Sequence, residues 1–357
     1  MYIMLTLLRG IGNRLVRDFA SAIPTFRCRT GQFCAGSALT GGHTKAMDMK
    51  TTLPDNAGSL PLNRVWMTAV ALILCSAAVW GQANVSAPMD AAALMQKSDD
   101  LKSQLAGSPF RRPLVLESSE SSNRVDGTVY AVLESSFAAV SRTFKSPEQW
   151  CEVMILHLNT KYCRPDGNMA PTRFKVSIGK KTPQQLSNAF SLDFGYEIAS
   201  SSSSYLSVLL SAPKGPLGTS NYKIEVQAVP LPDNRTFMRL HYAYGYGVTS
   251  RVAMQGYLAT IGAGKVGFTQ LNDGQKTDYI GGMRGAAERN IMRYYLAIEA
   301  YQASLAKPVD ERLESRLQHW FDATEEYPRQ LREIDKASYL AMKKDEHQRQ
   351  QTAQSQN

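Results

Sequence analysis

Cys151 and Cys163 are the cysteines that lie beyond residue 83; Cys28, Cys34 and Cys75 precede it. In an exported chain, two remaining cysteines suggest one disulfide, worth about 3 kcal/mol by the loop-entropy model. Two buried free thiols, acting as small hydrophobes, are the alternative. His157 and His241 are the histidines of the central region, and Asp193, Glu197 and Glu225 fall on other segments. Acid–base chemistry among them requires hydrogen-bond reach, which spacing does not establish. A packed or surface role is the plainer expectation for both rings. Cys28 and Cys34 are too isolated for a metal site, and no zinc-type spacing occurs elsewhere. The sequence names no catalytic set, no metal site and no cofactor.

Other residues have the pattern of a binding wall. Met238, Leu240, Tyr242, Tyr244 and Tyr246 alternate on one strand face, which either lines a cavity or fills a solid core. Arg289 and Arg293 stand one turn apart among Arg284, Glu288 and Glu299. They would receive a headgroup or carboxylate at a cavity mouth, or form a solvated, salt-bridged edge. Gly262-Ala-Gly264-Lys265-Val-Gly267 follows a helix and precedes a strand, the reverse of a phosphate loop.

These residues need elements to place them. Gly285–Leu305 reads as a long, mostly buried helix. Met283, Ala287, Ile291, Tyr294, Tyr295, Ile298 and Leu305 fall at helical spacing, and Ile291, Tyr294, Tyr295 and Ile298 are the candidates to face a sheet and its cavity. The sheet is predicted from alternating segments at 113–133, 160–164, 173–180, 190–199, 205–211, 222–229 and 236–246. Between the first two of these lie two short helices. One spans 136–144. The other opens at Ser146-Pro147-Glu148-Gln149, with Ser146 as N-cap, Pro147 in the first turn and Gln149 completing a capping box. A further helix over 250–261 and a short strand over 265–271 precede the long helix. Segment 84–112 reads as a linker with one short helix, whose Leu94, Leu101 and Leu105 share a face. Beyond Pro308, residues 308–342 form a charged helical extension carrying Leu313, Leu317, Trp320 and Phe321. The polar stretch 343–357 is expected to be disordered.

Composition bounds the function. Hydrophobic residues are 43% and charged residues 20% of 357, as in ordinary globular chains. The formal net charge is +9, of which +5 falls within residues 1–83. The body therefore carries no nucleic-acid footprint. Residues 64–83 have the secretory pattern: Arg64, an apolar run over 65–79, and small Gly81 and Ala83 before a cleavage point. The expectation is an exported chain, periplasmic or secreted, with an uncleaved N-terminal anchor as the alternative. The stretch upstream is expected to be disordered, or to reflect a start upstream of the true one at Met47, Met49 or Met67.

The order of elements resembles the START-like helix-grip (SRPBCC) superfamily, which includes lipid-transfer, Bet v 1-like and polyketide cyclase-like proteins. The resemblance covers 113–307 and rests on the helix pair 136–159, the strands through Tyr246, and the helix 282–305. It implies an α+β fold in which a curved antiparallel sheet wraps the long helix and leaves room for an apolar ligand. The chain would then be an exported bacterial member that binds a hydrophobic small molecule or lipid. Alternatives are a cyclase or hydrolase on the same fold, or a non-ligand scaffold. Partner contact through the C-terminal helices, with protein or a membrane surface, is the role left to the extension. No catalytic residue transfers, since the family has no shared catalytic motif.

Overall fold

The computed structural model describes residues 89–166, 172–259, 264–272 and 277–355. The secretory pattern at 64–83 lies outside the described residues, as do Ile261, Gly262 and the side chains of Met254, Tyr257 and Leu258. An eight-stranded antiparallel sheet forms the centre. Its strands are β1 (Leu114–Glu120), β2 (Arg124–Leu133), β3 (Thr160–Asp166), β4 (Arg173–Ile178), β5 (Phe190–Ser201), β6 (Leu206–Lys214), β7 (Thr219–Leu231) and β8 (Arg235–Tyr246). The spatial order is β1-β2-β8-β7-β6-β5-β4-β3. Every pair is a neighbour in sequence except β2 with β8, which brings the first and last parts of the sheet together. The tight β7–β8 connection uses Asp233 and Asn234 with φ of 61° and 58°, a conformation that Asp and Asn tolerate.

The strands alternate as their patterning requires. Met238, Leu240, Tyr242, Tyr244 and Tyr246 of β8 join the main core, while Phe237 joins a second cluster on the other face. That second cluster is built by α1 (Ala91–Asp100) and α2 (Lys102–Ala106): Leu94, Leu105 and the linking Leu101 cover Tyr130, Tyr205, Val229 and Phe237. The segment read as a linker is thus a packed layer, with Asp90 accepting the N–H of Ala93 as N-cap.

Helices α3 (Phe137–Lys145) and α4 (Pro147–Met154) follow β2. Ser146 caps α4 by accepting the Gln149 N–H. Gln149 does not close the capping box; its Oε1 accepts the Tyr301 hydroxyl instead. Cys151 and Cys163 are joined by a disulfide, tying α4 to β3. Beyond β8 come α5 (Val248–Ala259) and the small hairpin β9 (Gln270–Asn272) and β10 (Thr277–Tyr279).

The long helix is α6 (Gly282–Ser304), and the arrangement is helix-grip: α6 lies on β1, β2 and β8. Gly127 of β2 permits close approach; a Cβ there would sit 3.2 Å from Cγ2 of Ile291. The C-terminal extension changes the environment of α6. It forms α7 (Arg312–Glu325), α8 (Pro328–Leu331) and α9 (Lys336–Ser355). Helix α7 packs on α6, and Leu317, Trp320, Phe321, Leu331 and Tyr339 enter the main core. Trp320 donates its indole N–H to the Arg293 carbonyl at 3.0 Å. The extension is therefore a third layer, and its apolar stripe is consumed in packing.

Two expectations are corrected here. Of the segment 343–357, expected to be disordered, the described residues 343–355 are helical; α9 runs through Ser355 and packs along β3. Beyond Met342 its buried contacts are polar, which is why no apolar period marks them. Lys343 is wholly buried and donates to the carbonyls of His157 and Thr160 at 2.7 and 2.8 Å. Glu346 is shared between Lys343 and Lys161, at 2.8 and 2.9 Å. The second correction concerns Glu288, Arg289 and Arg293 of α6, which are buried rather than a solvated edge; Arg284 and Glu299 are partly exposed. Glu288 and Arg293 are 0% and 1% exposed. Glu288 accepts the N–H groups of Phe268 and Thr269 at 2.5 and 2.9 Å, together with the hydroxyls of Thr269 and Ser118.

Candidate binding cavity

A cavity of about 90 Å³ lies between α6 and the sheet. Helix α6 supplies one wall through Ala286, Arg289, Asn290, Arg293 and Tyr294. Their spacing of three and four residues places them on one helical face. The small Ala286 leaves open the space that a larger side chain would fill. The opposite wall is phenolic: Tyr242 and Tyr244 from β8, and Tyr222 from the adjacent β7. The alternation of β8 aims both of its tyrosines inward. Tyr222 and Tyr244 stack with centroids 5.3 Å apart, and Tyr242 meets Tyr294 at 5.8 Å.

The third wall comes from loops. His157 and Asn159 follow α4, and Ile178 and Lys181 sit at and just beyond the end of β4. Asn159 anchors this corner by donating its side-chain N–H to the Gly179 carbonyl at 2.7 Å. The backbone N–H of Asn159 donates to Nδ1 of His157 at 3.1 Å. In the neutral ring the proton therefore sits on Nε2. Burial first, and then Arg293, Lys343, Lys181 and Lys161, hold this imidazole well below its usual value. Nε2 of His157 is buried and has no hydrogen-bond partner among the described residues.

The cations are held from behind. Glu333, on the segment between α8 and α9, meets Lys181 at 2.5 Å, Arg293 at 3.0 Å and Lys265 at 3.3 Å. Burial would raise this carboxyl, but Arg293 and Lys181 pull it down to about 2. Burial pushes the Lys181 ammonium down to about 7, Arg293 adds to the push, and Glu333 opposes it. Arg289 donates to the Val266 carbonyl at 3.1 Å. Burial raises the phenols: Tyr222 to about 12, and Tyr242, Tyr244 and Tyr294 above the usual tyrosine range. They are protonated hydrogen-bonding groups at neutral pH, not bases.

Of the residues singled out in the sequence, Tyr242, Tyr244, Tyr294, Arg289 and Arg293 meet at this cavity. Met238, Leu240, Ile291, Tyr295 and Ile298 lie in the surrounding core, outside the lining. Tyr246, at the end of β8, has its hydroxyl 2.9 Å from both Oε1 of Glu120 and the Ser121 carbonyl. His241 faces the other side of the sheet, 3.0 Å from the Thr128 hydroxyl. Sequence reading missed Tyr222, Lys181 and the role of His157. Tyr222 alternates with Ile224 and Val226 on β7, a findable signal. Lys181 lies in a turn and carries none. Among the described residues no group of acidic, histidine and cysteine side chains could hold a metal ion. No described helix is long and apolar enough to cross a membrane.

No protein-family model matches the chain, and no curated protein does. Solved structures give partial alignments. Human StAR-related lipid transfer protein 5 aligns at 8% identity and a TM-score of 0.32, covering 61% of this chain and 100% of that one. Norcoclaurine synthase from Thalictrum flavum aligns at 12% identity and 0.28, covering 42% and 80%. A protein from Arthrobacter aurescens aligns at 12% identity and 0.27, covering 52% and 87%.

Proposed function

We propose that this chain is an exported binding protein that holds a small, largely apolar molecule between α6 and the sheet. One observation carries the reading: four tyrosines, Tyr222, Tyr242, Tyr244 and Tyr294, line an internal cavity under α6. Phenol rings offer apolar faces for a ligand body and hydroxyls to orient it. The cavity of about 90 Å³ is small beside the roughly 300–1,000 Å³ of drug-sized sites. It suits a compact ring better than an acyl chain, and a lipid would enter only with the walls displaced. The extension supports a scaffold role less, because Leu317, Trp320 and Phe321 are already packed.

Native mass spectrometry of protein purified from the compartment it occupies, followed by extraction of any bound molecule, tests this reading. Recovery of a stoichiometric ring-bearing compound is expected; protein that carries nothing and takes up no apolar probe overturns it. Export is tested on the same material. A mature N-terminus near Asn84 is expected, and an intact Met1 terminus in the cytoplasm would refute export.

A second reading, an enzyme of cyclase or hydrolase type, is favoured by Lys181, an amine in the cavity lining that pairs with Glu333 at 2.5 Å and whose burial eases its loss of a proton. If the recovered compound returns unchanged after incubation with fresh protein, and Lys181→Met alters only its affinity, the enzyme reading fails.

A further inference from the structure

We infer that Gly215 sets the size selectivity of the cavity: by carrying no side chain it leaves the space in which the Tyr222 ring rests, and so decides which rings the cavity admits. This rests on the binding reading above and names a residue, outside the lining, that shapes the site.

Gly215 follows β6 and opens the turn into β7, where its N–H donates to the Thr219 carbonyl at 2.9 Å. Its backbone is extended, with φ of −136° and ψ of 179°, a conformation open to any residue. The backbone does not require glycine here, but the space does. A Cβ on Gly215 would overlap Cε2 of Tyr222, and it would lie 3.0 Å from Cδ2 of the same ring and 2.7 Å from Oγ1 of Thr219. These distances are too short for a methyl group, so the ring would have to move.

The ring is not free to yield without consequence. Its hydroxyl donates to Oγ1 of Thr219 at 2.9 Å, and the Thr219 hydroxyl donates to the Pro216 carbonyl at 2.5 Å. Its face stacks on Tyr244 with planes 13° apart. Strand β7 supports the same placement. Its pairing with β8 is irregular between Ser220 and Lys223, and Asn221 has φ of 50°. A bulge of this kind re-aims the side chain beside it, and Asn accepts the left-handed backbone. The bulge and the bare Gly215 thus act on one ring. Tyr222 is a wall of a cavity of only about 90 Å³, so a small displacement of its ring changes what fits.

The test measures binding of benzyl alcohol, a single ring, and 2-naphthol, two fused rings, to the purified full chain by calorimetry or ligand-observed NMR. Wild type is expected to take the first and not the second. Tyr222→Ala removes the ring and should admit 2-naphthol. Gly215→Ala should weaken benzyl alcohol about tenfold. In the Tyr222→Ala background the added methyl group meets no ring, and Thr219 can rotate. There the same change should alter either affinity by less than about twofold. Melting of the same four proteins covers a Gly215→Ala chain too unstable to bind: the substitution should lower the melting temperature of wild type and not that of Tyr222→Ala. A Gly215→Ala effect of equal size in both backgrounds, or none in wild type, overturns the inference and leaves the cavity reading standing. Wild type that binds 2-naphthol as tightly as benzyl alcohol does the same. No binding of either probe, by wild type or by Tyr222→Ala, overturns both.

Discussion

The imidazole of His157 lies against the phenol ring of Tyr294, with centroids 4.7 Å and planes 29° apart. One ring belongs to the turn after α4 and the other to α6, so a single aromatic contact joins two walls of the cavity. Tyr294→Phe should preserve it and melt within a few degrees of wild type. Tyr294→Ala should lose it together with the packing on Tyr242, at a cost of about 3 kcal/mol. Urea unfolding of both variants checks this. Equal stability of the two would mean that the stack contributes nothing.

Ile298 is 1% exposed at the centre of α6. Ile298→Asp should place a carboxylate in the core without a partner. The cost is several kcal/mol, comparable with the whole stability of a domain, about 5–15 kcal/mol. Circular dichroism should show an unfolded or insoluble product. A variant that melts within a few degrees of wild type would exclude α6 from the core.

Glu333 makes the fold sensitive to acid. Its folded value is near 2 against an ordinary 4.5. A depressed carboxyl stabilises fully above the unfolded value and ceases to do so as pH falls through the folded one. A difference of that size corresponds to about 3 kcal/mol. Glu333→Gln should therefore melt well below wild type at pH 6, and the gap should shrink between pH 4.5 and 2. A gap independent of pH would mean that the carboxylate charge is not what stabilises.

The Cys151–Cys163 bridge should protect both thiols from alkylation in unreduced protein. The Cys151→Ala/Cys163→Ala variant should lose about 3 kcal/mol by the loop-entropy model. Ready labelling of both thiols in native material would contradict the bridge.

The sheet and α6 were legible because their signals are local. Strand alternation from Arg173 to Tyr246 and the helical spacing of Ile291, Tyr294, Tyr295 and Ile298 each reflect one buried face. Part of the cavity was legible for the same reason: the alternation of β8 that predicts the inward Tyr242 and Tyr244 is visible in four residues. Lys181, His157 and Glu333 were not, because their meeting depends on how the turn after β4 and the segment before α9 close on α6. The longest misreading, residues 343–355, has the same origin. Apolar periodicity reports burial against hydrocarbon, whereas Lys343, Glu346 and Gln350 are buried against carbonyls, an amide and one another. Polar burial of this kind leaves a sequence that reads as solvated.

Strand β3 ends the sheet, and a terminal strand normally exposes a row of unpaired amides to which other chains can add. Helix α9 packs along that strand, and Gln350 accepts the N–H of Cys163 at 3.1 Å. The last helix is thus a guard against self-association as well as a packing element. A chain shortened before Lys336 would keep its cavity residues from α6, β7 and β8 yet present a naked strand edge. Its failure would then be seen as aggregation that grows with protein concentration, before any change in what the cavity binds.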